Sequence, residues 1–401
     1  MRAVICGAGI AGLTQAWWLE RSGWDVTLIE VAPRLRDEGY MIDFFGPGYD
    51  TAEAMGLVPI LRNVAYAVPD VRWVRPDGSV ACRIDYARFS RFQGGRLLSL
   101  MRPDLEHVLA GAVVDHCDVR FGISIDDVTM RDDGVGVRYT DGTRQQADLL
   151  IGADGIHSRV RDLVFGPEPR YVRHLGYHTA AHVVRDDELH GRLDGSFRIV
   201  RTPGRQAGCY PLRDGRVAAF YAHATDERAL PDDPRAALRE IYADMGPTIE
   251  RVLARCPAPE DVYYDQVAQI EMPAWHHQRV VLVGDACGAV SLLAGQGASM
   301  AMAGTAVLAD ELRRATGVAA ALTAYEARVR PVVTAKQVAG RATAKWFLPS
   351  TRATLTVRDL LIRIADHSWA AFLLRPTLTS PGGGLAVAPP QETSSTSLPR
   401  T

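Results

Sequence analysis

One turn constrains this chain more than any other feature. Gly7-Ala8-Gly9-Ile10-Ala11-Gly12 follows a short apolar strand, Arg2 to Cys6, and opens a helix that runs to about Arg21. Gly23 ends that helix, and Asp25 to Ile29 is a second apolar strand finishing at Glu30. Strand, glycine turn, helix, strand and acid in that order form a βαβ unit built to bind a dinucleotide. Gly7 permits the tight turn, Gly9 lets the backbone approach a pyrophosphate, and Gly12 lets the helix pack close to the strand. The helix N-terminus, which includes Ile10 and Ala11, faces the phosphates with free N–H groups and about half a positive charge. Glu30 stands where a carboxylate accepts hydrogen bonds from both adenosine ribose hydroxyls. The turn alone leaves open which dinucleotide binds, since its place at the N-terminus suits FAD as readily as NAD.

Two later segments bear on that choice. Asp148 to Arg161 reads as an apolar strand, a sharp Asp154-Gly155 turn and a short helix carrying Ser158 and Arg161. Arg279 to Cys287 reads as a buried strand that delivers Asp285 at its carboxyl end, where a carboxylate can bind ligand hydroxyls such as those of a ribityl chain. Ala294-Gly295-Gln296-Gly297-Ala298 then opens an Ala-rich helix to about Arg313. Glycines at such a helix start let N–H groups approach an electron-rich ring edge.

Taken together, these ordered motifs resemble the single-component FAD-dependent aromatic hydroxylases, the para-hydroxybenzoate hydroxylase-like flavoprotein monooxygenases that include tetracycline-modifying and polyketide-tailoring enzymes. The resemblance covers roughly residues 1–345. It implies that the turn at Asp154 serves both FAD and NAD(P)H, and that Asp285 holds the flavin ribityl chain. It also implies that Gly295, Gln296, Gly297 and Ala298 aim a helix at the flavin pyrimidine ring. Arg102, opening Arg102-Pro103-Asp104-Leu105, matches a family arginine that touches the cofactor. Two departures stand out. The family's Gly-Asp-Ala-Ala-His and its proline before Gly-x-Gly are replaced here by Cys287, Gly288, Ser291 and Leu292. The arginine often found after the acid is Val31, leaving Arg34 or Arg36 as an adenosine contact or as surface charge.

Composition excludes other classes. Of 45 basic residues only Lys336 and Lys345 are lysine, leaving 43 arginines, a number that invites a nucleic-acid reading. The net charge of −2 and the absence of any block of five or six like charges argue against it. Six scattered cysteines without metal-ligand spacing suit a reducing cytoplasm and exclude a disulfide framework or zinc site. With a strand expected from Arg2 and neither a charged n-region nor a cleavage site before it, no signal peptide is expected. The 24 uncharged residues between Asp285 and Asp310 are long enough for a membrane span, but four glycines and several polar residues make them a buried loop and helix.

At 401 residues two domains are expected. The expected fold is α/β: a Rossmann-like FAD-binding domain with a parallel sheet, an inserted antiparallel-sheet substrate domain and a C-terminal helix. The FAD domain is assigned to 1–70, 100–175 and 273–345, and the substrate domain to 71–99 and 176–272. Segments near 176–184, 196–201, 207–211 and 216–224 carry strand formers separated by turns, and would wall a pocket with Tyr210 and Phe220 as candidate substrate contacts. Histidines 174, 178, 182, 190 and 223 have no spacing that marks a general base. A helix over 346–375, expected to pack on the FAD domain, precedes a Pro-, Gly- and Ser-rich tail over 376–401 that reads as disordered.

The implied activity is NADPH- or NADH- and O2-dependent hydroxylation of an aromatic or polyketide-like small molecule through a flavin C4a-hydroperoxide, in a cytoplasmic monomer or homodimer. The cofactor carries the hard chemistry, so no catalytic residue is assigned. The alternatives are an oxidase or oxidative cyclase, a Baeyer–Villiger-type oxygenase, or a flavin-fold protein that sequesters an aromatic drug without turnover.

Overall fold

The computed structural model describes residues 1–35, 37, 39–291, 295–365 and 385–388. Near-continuous apolar strands are buried on both faces, as in a parallel sheet covered by helices. Arg2–Cys6 pairs in parallel with Asp25–Glu30 on one side and Leu149–Gly152 on the other. The sheet extends through Asp118–Phe121 at one edge, and through Val280–Leu282 and the short antiparallel His276–His277 at the other. Helix Ile10–Arg21 packs on helix Gly297–Arg314, whose Met302, Ala303 and Leu308 are buried in the same core as Ile5 and Leu28. A three-stranded antiparallel sheet of Ile125–Met130, Val135–Tyr139 and Arg144–Ala147 lies alongside.

The second sheet has seven strands in the order Tyr263–Ile270, Val172–Arg185, Arg216–Ala224, Arg205–Pro211, Phe197–Thr202, Asp70–Val74 and Val80–Asp85. It is antiparallel except where Phe197–Thr202 runs parallel to Asp70–Val74. Strand alternation divides its faces. Ala219 and Tyr221 pack with Leu238, Tyr242, Ile249 and Val252 of two covering helices, Pro234–Ile241 and Pro247–Ala254. Ala218 and Phe220 point to the opposite face, towards the dinucleotide domain.

Between the two sheets lies a ribbon of Met41–Phe45 paired antiparallel with Leu97–Met101. Ile42, Phe44, Leu98 and Leu100 face the dinucleotide-domain core, which turns Met41, Asp43, Ser99 and Met101 the other way. Helix Val318–Phe347 runs behind the site and carries Gln337, whose amide donates to Ile270 O at 2.8 Å and Ala289 O at 3.0 Å.

Within the expected C-terminal helix, Arg352–Ala365 is helical. The expected packing on the dinucleotide domain is not its main contact among the described residues. It docks on the edge strand Val80–Asp85, where Arg363 Nε donates to Ala81 O at 2.8 Å and Asp359 pairs with Arg201. An edge strand offers unpaired carbonyls, and a guanidinium satisfies one of them. The tail lies outside the described residues except for 385–388, where Leu385 is buried against the dinucleotide-domain core.

Candidate active site

A cavity of about 540 Å³ opens between the parallel sheet, the ribbon and the inner face of the seven-stranded sheet. Gly9, Ile10, Ala11, Arg102, Asp285, Gly295, Gly297 and Ala298 line one end. Tyr210 and Phe220 line the wall supplied by the second sheet, with Trp73, Phe197 and Ile199. Residues that the sequence places far apart therefore meet in one space.

At the fingerprint, backbone geometry demands glycine. Gly7 has φ +104°, and a Cβ there would sit 2.5 Å from Ala153 O. A Cβ on Gly12 would sit 1.8 Å from Gly7 O, so helix and turn are in contact with no room for a methyl group. Gly9 differs. It is extended, and a Cβ there meets nothing closer than Glu106 Oε1 at 3.5 Å and Arg102 Nη2 at 3.8 Å, so its open side is the cavity. Gly7 and Gly12 lie beneath the turn. Glu30 holds the turn directly: its carboxylate accepts from Ala8 N at 2.8 Å and from Ala32 N at 2.9 Å.

Arg102 and Asp285 set the electrostatics of this end. Arg102 pairs with the buried Glu106 at 2.9 Å. Burial alone would lower its pKa, but the Glu106 charge raises it above the ordinary arginine value. Asp285 opens a short helical turn after Gly284 and is exposed to the cavity. Burial raises its pKa, with Arg102 partly opposing, and none of the described residues donates a hydrogen bond to its carboxylate. A carboxylate open to the cavity and lacking protein donors fits a ligand that brings hydroxyl groups. With the open side of Gly9 and the glycine-flanked start of Gly297–Arg314, the residues present fit FAD.

Other predicted residues support the site from outside the wall. The Asp154 carboxylate accepts from Val160 N at 3.0 Å and from the Ser158 hydroxyl, so it ties down the turn that brings Gly155 and Ile156 to the cavity. Arg161 is fully buried and donates to Ala286 O at 3.0 Å and Ile156 O at 2.6 Å, linking that turn to the one after Asp285. Gln296 precedes the helix at Gly297, and its side-chain oxygen accepts from Lys336. Arg36 lies outside the described residues, as does Leu292; Arg34 is exposed and pairs with Asp37 at 3.0 Å. Of the histidines, His182 and His223 are buried and held neutral by burial, both near pKa 4, with His182 Nε2 3.0 Å from Tyr221 OH and His223 Nδ1 3.1 Å from Tyr242 OH.

Sequence reasoning missed several wall residues. Tyr40, whose carbonyl accepts from Arg102 N, packs against Tyr263 and Phe220 with ring centroids 5.6 and 6.0 Å apart. Burial pushes the Tyr40 phenol up to about 12. Asp265 lines the cavity and bonds His157, which stands at pKa about 9 because Asp265, and then Glu168, favour its charged form. Asp43, Tyr86 and Ser99 form a second polar group in the cavity lining. The strand alternation around Asp43 was its only sequence signal.

Comparison with known proteins matches this geometry. Residues 1–339 match the family described as FAD binding domain. An uncharacterized protein of Mycobacterium tuberculosis is 36% identical over 323 residues, covering 78% of this chain and 85% of the relative. A flavin-dependent monooxygenase of Legionella longbeachae is 30% identical over 364 residues, covering 87% of this chain and 90% of the relative. The crystal structure of tetracycline destructase Tet(55) superposes with a TM-score of 0.78 at 26% identity, covering 92% of this chain and 96% of that one. Among the described residues, no helix is long and apolar enough to cross a membrane.

Proposed function

The chain belongs to the FAD binding domain family of aromatic hydroxylases and is an FAD-dependent monooxygenase, and from that premise we propose that it uses NADPH or NADH and O2 to hydroxylate a flat aromatic or polyketide-like small molecule. The carrying observation is the continuity of the cavity, from the open side of Gly9 and the carboxylate of Asp285 to the aromatic wall of Trp73, Phe197 and Phe220. FAD held there would supply the electrophilic oxygen from O2 at the expense of reduced nicotinamide.

The chain's own residues do the rest. The first turn of helix Ile10–Arg21 and Arg102 would hold the pyrophosphate, Asp285 would accept from the ribityl hydroxyls, and Gly297 and Ala298 would present N–H groups to the ring. The seven-stranded sheet closes over the substrate and excludes water, which protects a reactive oxygen donor from wasteful breakdown. The likeness to a tetracycline destructase supports a polycyclic substrate. The cytoplasm, where reduced nicotinamide is supplied, is its place of action, and the six free cysteines accord with it.

The test is a screen of the FAD-loaded protein against phenols, tetracyclines and aromatic polyketides, following NAD(P)H oxidation, O2 uptake and product mass. One oxygen atom from O2 in the product is expected. A colourless protein that cannot be reconstituted with FAD would refute the proposal. Turnover without oxygen incorporation would make the enzyme an oxidase or cyclase, and tight binding without turnover would make it a sequestering protein.

A further inference from the structure

The helix start that fits the cofactor ring is touched from behind by a cation. Helix Val318–Phe347 brings Lys336 to Gln296, whose side-chain oxygen accepts from the ammonium. Gln296 is the N-cap of helix Gly297–Arg314, and its neighbours Gly295, Gly297 and Ala298 line the cavity. The residue after Lys336, Gln337, donates to Ile270 O at 2.8 Å and to Ala289 O at 3.0 Å, while its own carbonyl accepts from Gln269 Nε2 at 2.9 Å. One turn of the long helix is thereby pinned at Ala289, just after Asp285, and at the start of the helix that follows. The ammonium has a fixed place.

Its charge is also uncompensated. Other cations on the same helix are paired: Arg328 with Asp310 and Glu311, Arg330 with Glu326, Arg341 with Glu271. Lys336 is half-buried, and among the described residues its hydrogen-bond partner is a neutral amide and no carboxylate pairs with it. Burial lowers its pKa, with no acid nearby to oppose the shift. A partly desolvated cation without a counter-ion favours negative charge arriving beside it. The residue type fits as well. Lys336 is one of only two lysines among 45 basic residues, and a compact ammonium suits a single amide oxygen better than a planar guanidinium does. The helix start needs such a charge, because a Cβ on Gly297 would stand 3.9 Å from Asp285 Oδ1, an acid of the opposite effect.

We propose that Lys336, acting through Gln296, is a positioning residue that sets a fixed positive charge behind the ring end of the FAD site and so raises the reduction potential of the bound cofactor. Reduced nicotinamide gives up two electrons and one proton to FAD held there, is itself oxidised, and leaves one net negative charge on the ring. The oxidised ring is neutral. An uncompensated ammonium therefore favours the reduced form over the oxidised one, and the N-terminus of helix Gly297–Arg314 adds partial charge of the same sign. This assignment rests on the FAD reading of the site and is independent of which substrate the cavity takes.

The test measures the reduction potential of FAD bound to the full-length protein, by equilibration with a reference dye, and the Kd for oxidised FAD by fluorescence quenching. Lys336→Gln keeps an N–H donor for Gln296 and removes the charge. Its preference for reduced over oxidised FAD should fall at least about 10-fold, which is a potential more negative by about 30 mV. Its Kd for oxidised FAD should change by less than about 3-fold. Lys336→Arg keeps the charge and should hold the preference within about 3-fold of the natural chain. An unchanged potential in Lys336→Gln overturns the proposal. So does an equal fall in both variants, which would make the shape of the contact the cause rather than its charge. A Lys336→Gln protein that no longer holds oxidised FAD overturns it too, because Lys336 would then build the site instead of tuning it. If the unsubstituted protein holds no FAD, the flavin reading itself falls; if it holds FAD and the potential ignores the charge at 336, only the role of Lys336 falls.

Discussion

Alanine at Gly9 and alanine at Gly12 should fail in different ways, because the two glycines are required by different neighbours. A Cβ at Gly12 would lie 1.8 Å from the backbone oxygen of Gly7, against an ordinary limit near 3.4 Å. Turn and helix must therefore part by about 1.5 Å, and overpacking of this kind costs roughly 1–3 kcal/mol. At Gly9 the nearest atoms stand at 3.5 and 3.8 Å, both on side chains, and the backbone is extended. Gly9→Ala should fold as the natural chain does, while its methyl group enters the space where the pyrophosphate would approach. Losing one charge-assisted hydrogen bond there costs about 1.5–3 kcal/mol, or roughly 10- to 150-fold in Kd for FAD. Urea denaturation of the apoprotein measures the first effect and quenching of FAD fluorescence the second. Gly12→Ala should lose both stability and FAD affinity, and Gly9→Ala affinity alone. A Gly9→Ala protein that binds FAD normally would refute this placement of the pyrophosphate, and an unaltered urea midpoint for Gly12→Ala would refute the packing argument.

Other perturbations separate support from contact. Arg161→Met removes the guanidinium that bonds Ala286 O, Ile156 O and Glu168 from a fully buried position; a loss of roughly 3–5 kcal/mol by urea midpoint is expected, with FAD affinity falling alongside. His157→Gln should be pH-dependent. The folded-state pKa of about 9 lies above the ordinary 6.5, so the His157 contribution is complete below about pH 6.5 and vanishes as pH rises through about 9. Its side chain is half exposed, so the difference should not exceed about 1 kcal/mol, and stability curves at both ends of that window check the sign. Leu385→Ala should lower stability by about 2 kcal/mol despite its place in a Pro- and Gly-rich tail, because that leucine is 1% exposed; an unchanged denaturation midpoint would show that the tail does not dock.

What could be read from the chain divides along a physical line. Gly7, Gly9 and Gly12 were legible because steric demands on a backbone leave one residue type and a fixed spacing. The strand that precedes Asp285 was legible because a buried parallel strand is almost wholly apolar, so an acid just beyond its end stands out. The cavity wall was not legible in the same way. Tyr40, Trp73, Tyr86 and Tyr263 come from four separate segments, and only strand order and register bring them together. The parallel pairing of Phe197–Thr202 with Asp70–Val74 is a contact of this kind, since it joins strands more than a hundred residues apart with no local turn to announce it.

Arg161 and Asp43 show how position rather than residue type decides a role. Arg161 belongs to a motif and carries a charge, the features that suggest ligand contact, yet its guanidinium is spent on two backbone carbonyls that hold neighbouring turns. Asp43 belongs to no motif, but lies in a strand whose alternate residues Ile42 and Phe44 face a core, so its carboxylate must face the other way. In a ribbon with one face on the core, an acid on the second face is either solvated or walled in. It lines the cavity half-buried, and no cation pairs with it among the described residues.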